Sequence, residues 1–307
     1  MSIYLGGGTP SLWEPACIAR AIEAIEARFG GRAREITLEA NPTDCDEAHL
    51  AAWRAAGVNR LSIGVQSTVA SELVVLGRDH RFGDGPAAVA RALGDGGFTV
   101  SADFILGTPT GEPARIPEVL GEVDHLSVYE LTIEERTAFG QRVRDGRLVP
   151  RSEDDLIELY VGTHEALAAK GFEHYEISSY ARPGKRAVHN SLYWTGAPFL
   201  GLGASAASLA VHPDGSGERR TNPRKVADYL AGATPEVTAI GPAEMAADRA
   251  WLGMRTRDGV AEADLPPPVT AWLLAERLAE RRDGRICPTL RGFLMADRIA
   301  ARIVQAL

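Results

Sequence analysis

Short runs of alternating apolar residues, each stopping at a glycine or a polar residue, recur through the first 180 positions, mostly with a helical pattern between them. This constrains the fold more than any other feature. Residues 3–5 run into Gly6-Gly7-Gly8-Thr9-Pro10, Ile36, Leu38 and Ala40 lead to Asn41-Pro42, and Leu61, Ile63 and Val65 lead to Gln66. Residues 100–106 close in Gly107-Thr108-Pro109, and residues 126–131 form a further run. Between them, Ile18, Ile22, Ile25 and Phe29 share a helical face after Ser11, the expected N-cap. Leu50 and Trp53 lie in a helix from about residue 46 to Gly57, and shorter helices are expected over 72–76, 86–93 and 116–123. Strand–helix units of this length predict an α/β fold, a parallel sheet with helices outside. The strand ends of such sheets gather at one rim, where sites form, and the breaks at Gly6, Asn41, Gln66 and Gly107 fit that rim.

The pattern then changes. A helix over 154–169 leads to an aromatic strand over 174–180, and residues 182–207 read as irregular and aromatic-rich. Helices follow over 243–255 and 269–280, then Asp283-Gly284 and a last helix from about residue 291. This predicts a sheet domain over 1–180 and a small, mainly helical, winged-helix-like region over 181–307, read as a packing module.

With 45% hydrophobic and 24% charged residues the composition is that of an ordinary soluble chain. A formal net charge of −8 argues against a nucleic-acid surface, which needs clustered cations. No apolar run reaches membrane-spanning length and the first residues do not read as a signal peptide, so a cytoplasmic location with no transmembrane segment is expected. Cys17, Cys45 and Cys287 follow no metal-ligand spacing.

Glycines directly after a strand let polar groups of a ligand approach the backbone. Gly6-Gly7-Gly8-Thr9-Pro10 lacks the lysine of a P-loop and the spacing of a dinucleotide loop, so nucleotide phosphates are not favoured. The informative feature is the ordered set that follows. It comprises Leu38-Glu39-Ala40-Asn41-Pro42, residues 57–67 ending in Gly64-Val65-Gln66-Ser67, and Leu76-Gly77-Arg78-Asp79-His80. Ala102-Asp103-Phe104 and Tyr129-Glu130-Leu131-Thr132-Ile133-Glu134 complete it. This set resembles the group of radical S-adenosylmethionine (SAM) proteins that holds the oxygen-independent coproporphyrinogen dehydrogenases and the HemW heme chaperones. The resemblance covers essentially the whole chain.

Carried over residue by residue, it implies a SAM pocket. Gly7, Gly8 and Thr9 would cradle the methionine end, and Glu39 and Gln66 would contact the amino acid and adenosine parts. Arg78 would offer a donor fork to a carboxylate, and Asp103 would accept from ribose hydroxyls. His189-Asn190-Ser191-Leu192-Tyr193-Trp194 matches the HNxxYW pattern of the HemW-type proteins, which makes His189 the implied axial ligand of heme. Lys185 and Arg186 are candidates to pair with the heme propionates on sequence proximity.

The family's CxxxCxxC loop, which holds a 4Fe–4S cluster, has no counterpart here, so no cluster is expected on this chain. The resemblance implies an incomplete (β/α)6 radical SAM barrel whose first β/α unit is missing. A start site assigned too late is favoured over a natural truncation or an excised piece, because an apolar edge strand at residues 3–5 invites aggregation. Ser179 and Ala207 also depart from the family pattern. The implied function is a heme chaperone that passes heme to an acceptor protein. The alternatives are radical decarboxylation of coproporphyrinogen III and a degenerate paralogue that keeps only ligand affinity.

Overall fold

The alternating runs become strands whose two faces differ in chemistry. In the computed structural model, which describes residues 1–110 and 122–306, the chain divides into two units, Met1–His189 and Asn190–Leu307. The first unit begins β1 (Ser2–Leu5), α1 (Pro15–Phe29), β2 (Glu35–Ala40), α2 (Glu47–Ala55) and β3 (Arg60–Gln66). It continues α3 (Ala70–Val75), α4 (Asp84–Asp95), β4 (Thr99–Leu106) and β5 (His125–Glu130). These five strands pair in parallel, in sequence order. The helix expected over 116–123 falls largely outside the described residues.

Register explains the two faces. Ala40, Ile63, Ala102 and Leu126 lie side by side across four strands, and Leu38, Leu61 and Val100 across three. These residues are buried with Ile18 and Ile22 of α1, Leu50 and Trp53 of α2 and Val89 of α4 in one core. Burying a side chain of this size contributes about 1.5–3 kcal/mol. One position along, on the opposite face, the row reads Glu39, Ser62, Ser101, His125. The period of two thus sorts apolar residues toward the helices and polar ones toward the site.

Several local expectations need correction. Ser11 caps no α-helix: α1 starts at Pro15, and the buried Ser11 donates to Asp44 Oδ2 at 2.6 Å. Phe29 is 57% exposed because α1 ends there, at Gly30 in the left-handed region. The aromatic strand over 174–180 is two strands, β6 (Glu173–Glu176) and β7 (Ser179–Ala181), running antiparallel to each other. β7 also pairs antiparallel with β5, so the sheet order is β1-β2-β3-β4-β5-β7-β6 and only its first five strands are parallel. Before them come α5 (Ala138–Arg144) and α6 (Glu153–Ala169). Ser152 and Asp155 close a capping box on α6. α7 (Val188–Trp194) begins at the end of the first unit.

In the second unit, helices alone do not describe the chain. β8 (Ala207–Val211), β9 (Gly217–Thr221) and β10 (Glu236–Ile240) form an antiparallel sheet, with α8 (Val226–Leu230) between the last two. The sequence signal is weak at β9, which carries the charged run Glu218, Arg219 and Arg220 in place of alternating apolar residues. The tail contains α9 (Pro242–Gly253), β11 (Val260–Ala261), α10 (Pro267–Ala275), β12 (Ala279–Arg282), β13 (Arg285–Pro288), α11 (Leu290–Leu294) and α12 (Ala296–Ala306). The helix expected over 269–280 therefore ends early, at Ala275, and gives way to β12. Asp283 and Gly284 both take positive φ, which suits a two-residue hairpin turn between β12 and β13. Met254, Val269, Leu273, Ile286, Ile299 and Ile303 share a separate core.

Candidate functional site

The strand ends of the first unit carry a hydrogen-bonded polar cluster. Glu39 lies near the end of β2 and receives two bonds: Tyr4 Oη donates to its Oε1 at 2.7 Å, and the Gly7 N–H to its Oε2 at 3.1 Å. Gly6 makes this approach possible, since a Cβ there would sit 2.5 Å from Tyr4 Cε1 and 2.9 Å from Glu39 Oε1. Gly7 and Gly8 take φ of +80° and +67°, and a Cβ at either would meet no atom within 4 Å. The space beside both residues is therefore open, with the Gly7 N–H held by Glu39. Thr9 follows, half-buried.

Asp103 on β4 is the second carboxylate. Ser62 Oγ donates to its Oδ2 at 2.7 Å and Ser101 Oγ to its Oδ1 at 3.3 Å, while Ser127 is its register partner on β5. Burial pushes its pKa up to about 6, against the hydroxyls of Ser62, Ser127 and Ser101 that favour the carboxylate, with the charge of Glu39 adding to the rise. Gln66, at the end of β3, holds a left-handed φ of +65° where the pairing with β4 slips register. Its side chain folds back on Gly64, where a Cβ would stand 2.7 Å from Gln66 Nε2. A non-glycine residue in this region costs about 1–3 kcal/mol and marks a candidate functional position. Arg78 lies exposed in the turn after α3, its backbone N–H donating to Leu73 O. The structure thus brings Gly7 and Glu39 into direct contact and sets Asp103 and Gln66 on neighbouring strands, while among the described residues Arg78 makes no hydrogen bond to any of them.

His189 sits at the start of α7, held on three sides. Its Nδ1 bonds Ser2 Oγ at 3.0 Å, its ring stacks on Tyr4 with centroids 5.0 Å apart, and its backbone N–H donates to Glu35 Oε1 at 2.8 Å. The Val188 N–H donates to the other Glu35 oxygen at 3.0 Å. Glu35 in turn pairs with the buried Arg60 at 3.6 Å. Burial lowers the pKa of His189, opposed by the charge of Glu35. Lys185 and Arg186 do not stand free for propionates: Lys185 Nζ pairs with Asp124 at 3.2 Å and Arg186 with Glu173 at 2.9 Å.

Sequence reading missed the groups that link these positions. A buried chain runs from the Ala187 N–H to Tyr175 Oη (3.3 Å), on to His125 Nε2 (2.8 Å), and from His125 Nδ1 to Ser101 Oγ (2.8 Å) beside Asp103. Desolvation drives the pKa of His125 well below its usual value, with Arg60 adding to the effect. Glu176 is also buried, and its pKa rises to about 7 by desolvation, against bonds from Ser179 and the Ser178 N–H. The alternation of the strands placed these residues on the polar face, but only lateral register shows which of them meet.

The three thiols do not fit a 4Fe–4S cluster. Cys17 is exposed on α1, Cys45 is buried with its pKa pushed up to about 12 by desolvation, and Cys287 is buried in β13 of the other unit. Among the described residues no helix is long and apolar enough to cross a membrane.

Comparison with known proteins identifies the family. Residues 2–122 match the family model of the radical SAM superfamily. The radical S-adenosyl methionine domain-containing protein 1, mitochondrial, of Mus musculus is 36% identical over 88% of this chain, which spans only 65% of that protein's length. The heme chaperone HemW of Mycobacterium tuberculosis is 32% identical, with 99% of this chain and 80% of that protein covered. Coproporphyrinogen III oxidase (HemN) of Escherichia coli superposes with a TM-score of 0.77 at 20% identity, over 100% of this chain and 78% of the other, and so shares the fold. This chain belongs to the radical SAM superfamily, within the family of HemW-type proteins.

Proposed function

We propose that this chain is a HemW-like heme chaperone of the cytoplasm, which holds heme through His189 and passes it to an acceptor protein. The observation that carries this reading is the setting of His189. Ser2 engages Nδ1 and Tyr4 covers one ring face. The imidazole would be the iron ligand, oriented by Ser2 and Tyr4, a second-sphere arrangement common among metal-ligating histidines.

Gly7, Gly8, Thr9, Glu39, Gln66, Arg78 and Asp103 are the residues proposed to hold SAM. Glu39 would receive the α-ammonium, the Gly7 and Gly8 backbone would line the methionine end, and Asp103 would accept from the ribose. Arg78 would have to swing in from its exposed turn to reach the carboxylate. Bound SAM would supply a sulfonium cation.

The test is a heme titration of the wild-type chain and of His189→Ala, followed in the Soret band. Loss of the ligand band and at least a tenfold weaker Kd are expected. An unchanged spectrum and affinity would remove His189 from the role.

A further inference from the structure

One side chain touches both proposed ligand positions. Tyr4, on the edge strand β1, lays its ring against the His189 imidazole at 5.0 Å between centroids, with 29° between the planes. Its hydroxyl meanwhile donates to Glu39 Oε1 at 2.7 Å. Glu39 Oε2 takes the Gly7 N–H at 3.1 Å, so both oxygens of that carboxylate are engaged, one toward each side. The path from the Gly7 backbone to the imidazole is three contacts long.

There is little slack in it. A Cβ at Gly6 would collide with the Tyr4 ring and with Glu39 together, so the two side chains and the glycine turn are packed at contact distance. The imidazole has little freedom of its own, with Ser2 on Nδ1 and Glu35 on its backbone N–H. Each Glu39 oxygen keeps a further lone pair, so an N–H donor arriving there binds beside the Tyr4 hydroxyl or the Gly7 N–H and draws the carboxylate toward itself. When the carboxylate shifts, the Tyr4 hydroxyl bonded to it follows, and the ring stacked on His189 moves with it.

We propose that Tyr4 is a positioning residue that couples the His189 site to the glycine-rich strand end, so that filling either one changes the affinity of the other. The inference rests on the heme and SAM positions proposed above. Coupling of this kind is reciprocal: the factor by which SAM changes heme affinity equals the factor by which heme changes SAM affinity. Tyr4→Phe keeps the ring on the imidazole and deletes the link to Glu39. Ser2→Ala perturbs the imidazole from the other side and leaves the link in place.

The experiment measures heme Kd by Soret titration, with and without saturating SAM, for the wild type, Tyr4→Phe and Ser2→Ala. The wild-type ratio is expected to depart from one by about fivefold or more, in the usual range of site–site coupling. It should collapse to one in Tyr4→Phe, with both ligands still bound, and persist in Ser2→Ala even where heme binds more weakly. A wild-type ratio of one, an unchanged ratio in Tyr4→Phe, or no SAM binding at millimolar concentration overturns the coupling. His189→Ala, titrated with heme alone, keeps the two ideas apart. If it binds heme as the wild type does, the functional reading fails, and if it does not while the wild-type ratio is one, only the coupling fails.

Discussion

Glu35 Oε1 accepts the backbone N–H of His189 at 2.8 Å, across 154 positions of sequence. The same carboxylate takes the Val188 N–H and is the buried partner of Arg60, so one side chain on β2 orients the start of α7 and neutralises a guanidinium only 4% exposed. The residue that presents the imidazole is therefore also part of the sheet's internal charge balance.

Replacing Glu35 by alanine strips the N–H groups of their acceptor and leaves Arg60 uncompensated, one of whose terminal nitrogens already has no hydrogen-bond partner among the described residues. Breaking a buried pair from one side costs about 3–5 kcal/mol. Glu35→Gln, which keeps an acceptor but not the charge, should fall between. Urea unfolding of the three proteins reads this directly. A Glu35→Ala chain within about 1 kcal/mol of wild type would show that the pair is not an energetic anchor.

Glu176 predicts a pH effect on stability. Its pKa rises from an ordinary 4.5 to about 7 in the folded chain, chiefly by burial. The folded state then holds this proton more tightly than the unfolded chain does. Its contribution is fully present below pH 4.5 and is lost as the pH rises through 7, to a limit of roughly 3 kcal/mol. Glu176→Gln should remove that slope, so the difference in unfolding free energy between variant and wild type should widen from pH 5 to pH 8. Parallel curves over that interval would place the proton elsewhere.

The apolar half of this fold is legible in the sequence and the polar half is not. Ile36, Leu38 and Ala40, or Leu61, Ile63 and Val65, announce strands because every second residue must face the helices. The residues between them, among them Thr37, Glu39 and Ser62, look like ordinary polar alternation until register sets Glu39 beside Ser62 and Ser62 beside Ser101. A slip of one residue would turn each of them to the other face. Glu39, Gln66, Asp103 and His189 were reachable through a family pattern of strand ends. Tyr4, Glu35, His125 and Tyr175 were not, because their roles are contacts over 35 to 154 positions. The hairpin of β6 and β7 escaped for a related reason: the run from His174 to Tyr180 is as consistent with one long strand as with two short ones.

Asp103 sets the acid limit of the strand-end site. With its pKa raised to about 6 by burial, it is a carboxylate at pH 7.5 and largely protonated at pH 5. The neutral acid has lost acceptor capacity, so a ligand that gives its ribose hydroxyls to Asp103 should bind more weakly as the pH falls through 6. Equilibrium binding of SAM to the wild type should weaken severalfold between pH 7.5 and 5, and Asp103→Asn should bind weakly and without that dependence. Identical pH profiles for the two proteins would exclude Asp103 from ribose recognition.

His125 should exist in a single tautomer, and the direction follows from Asp103. An ionised carboxylate only accepts, so Ser101 Oγ gives it its proton and must itself accept from His125 Nδ1–H. Nε2 is then bare and takes the hydroxyl proton of Tyr175, whose oxygen accepts the Ala187 N–H. The donors all point one way, from the segment preceding His189 toward Asp103. Nitrogen-15 NMR of histidine-labelled protein should show His125 as neutral Nδ1–H, unchanged from pH 8 to pH 6.5. Ser101→Ala removes the acceptor that fixes the tautomer, and an unpaired buried N–H costs about 1–3 kcal/mol. The variant should therefore lose stability in that range and admit the Nε2–H form, with the Tyr175 hydroxyl turning to accept. An Nε2–H signal in the wild type would reverse the chain and require Ser101 to donate to the ring rather than to Asp103.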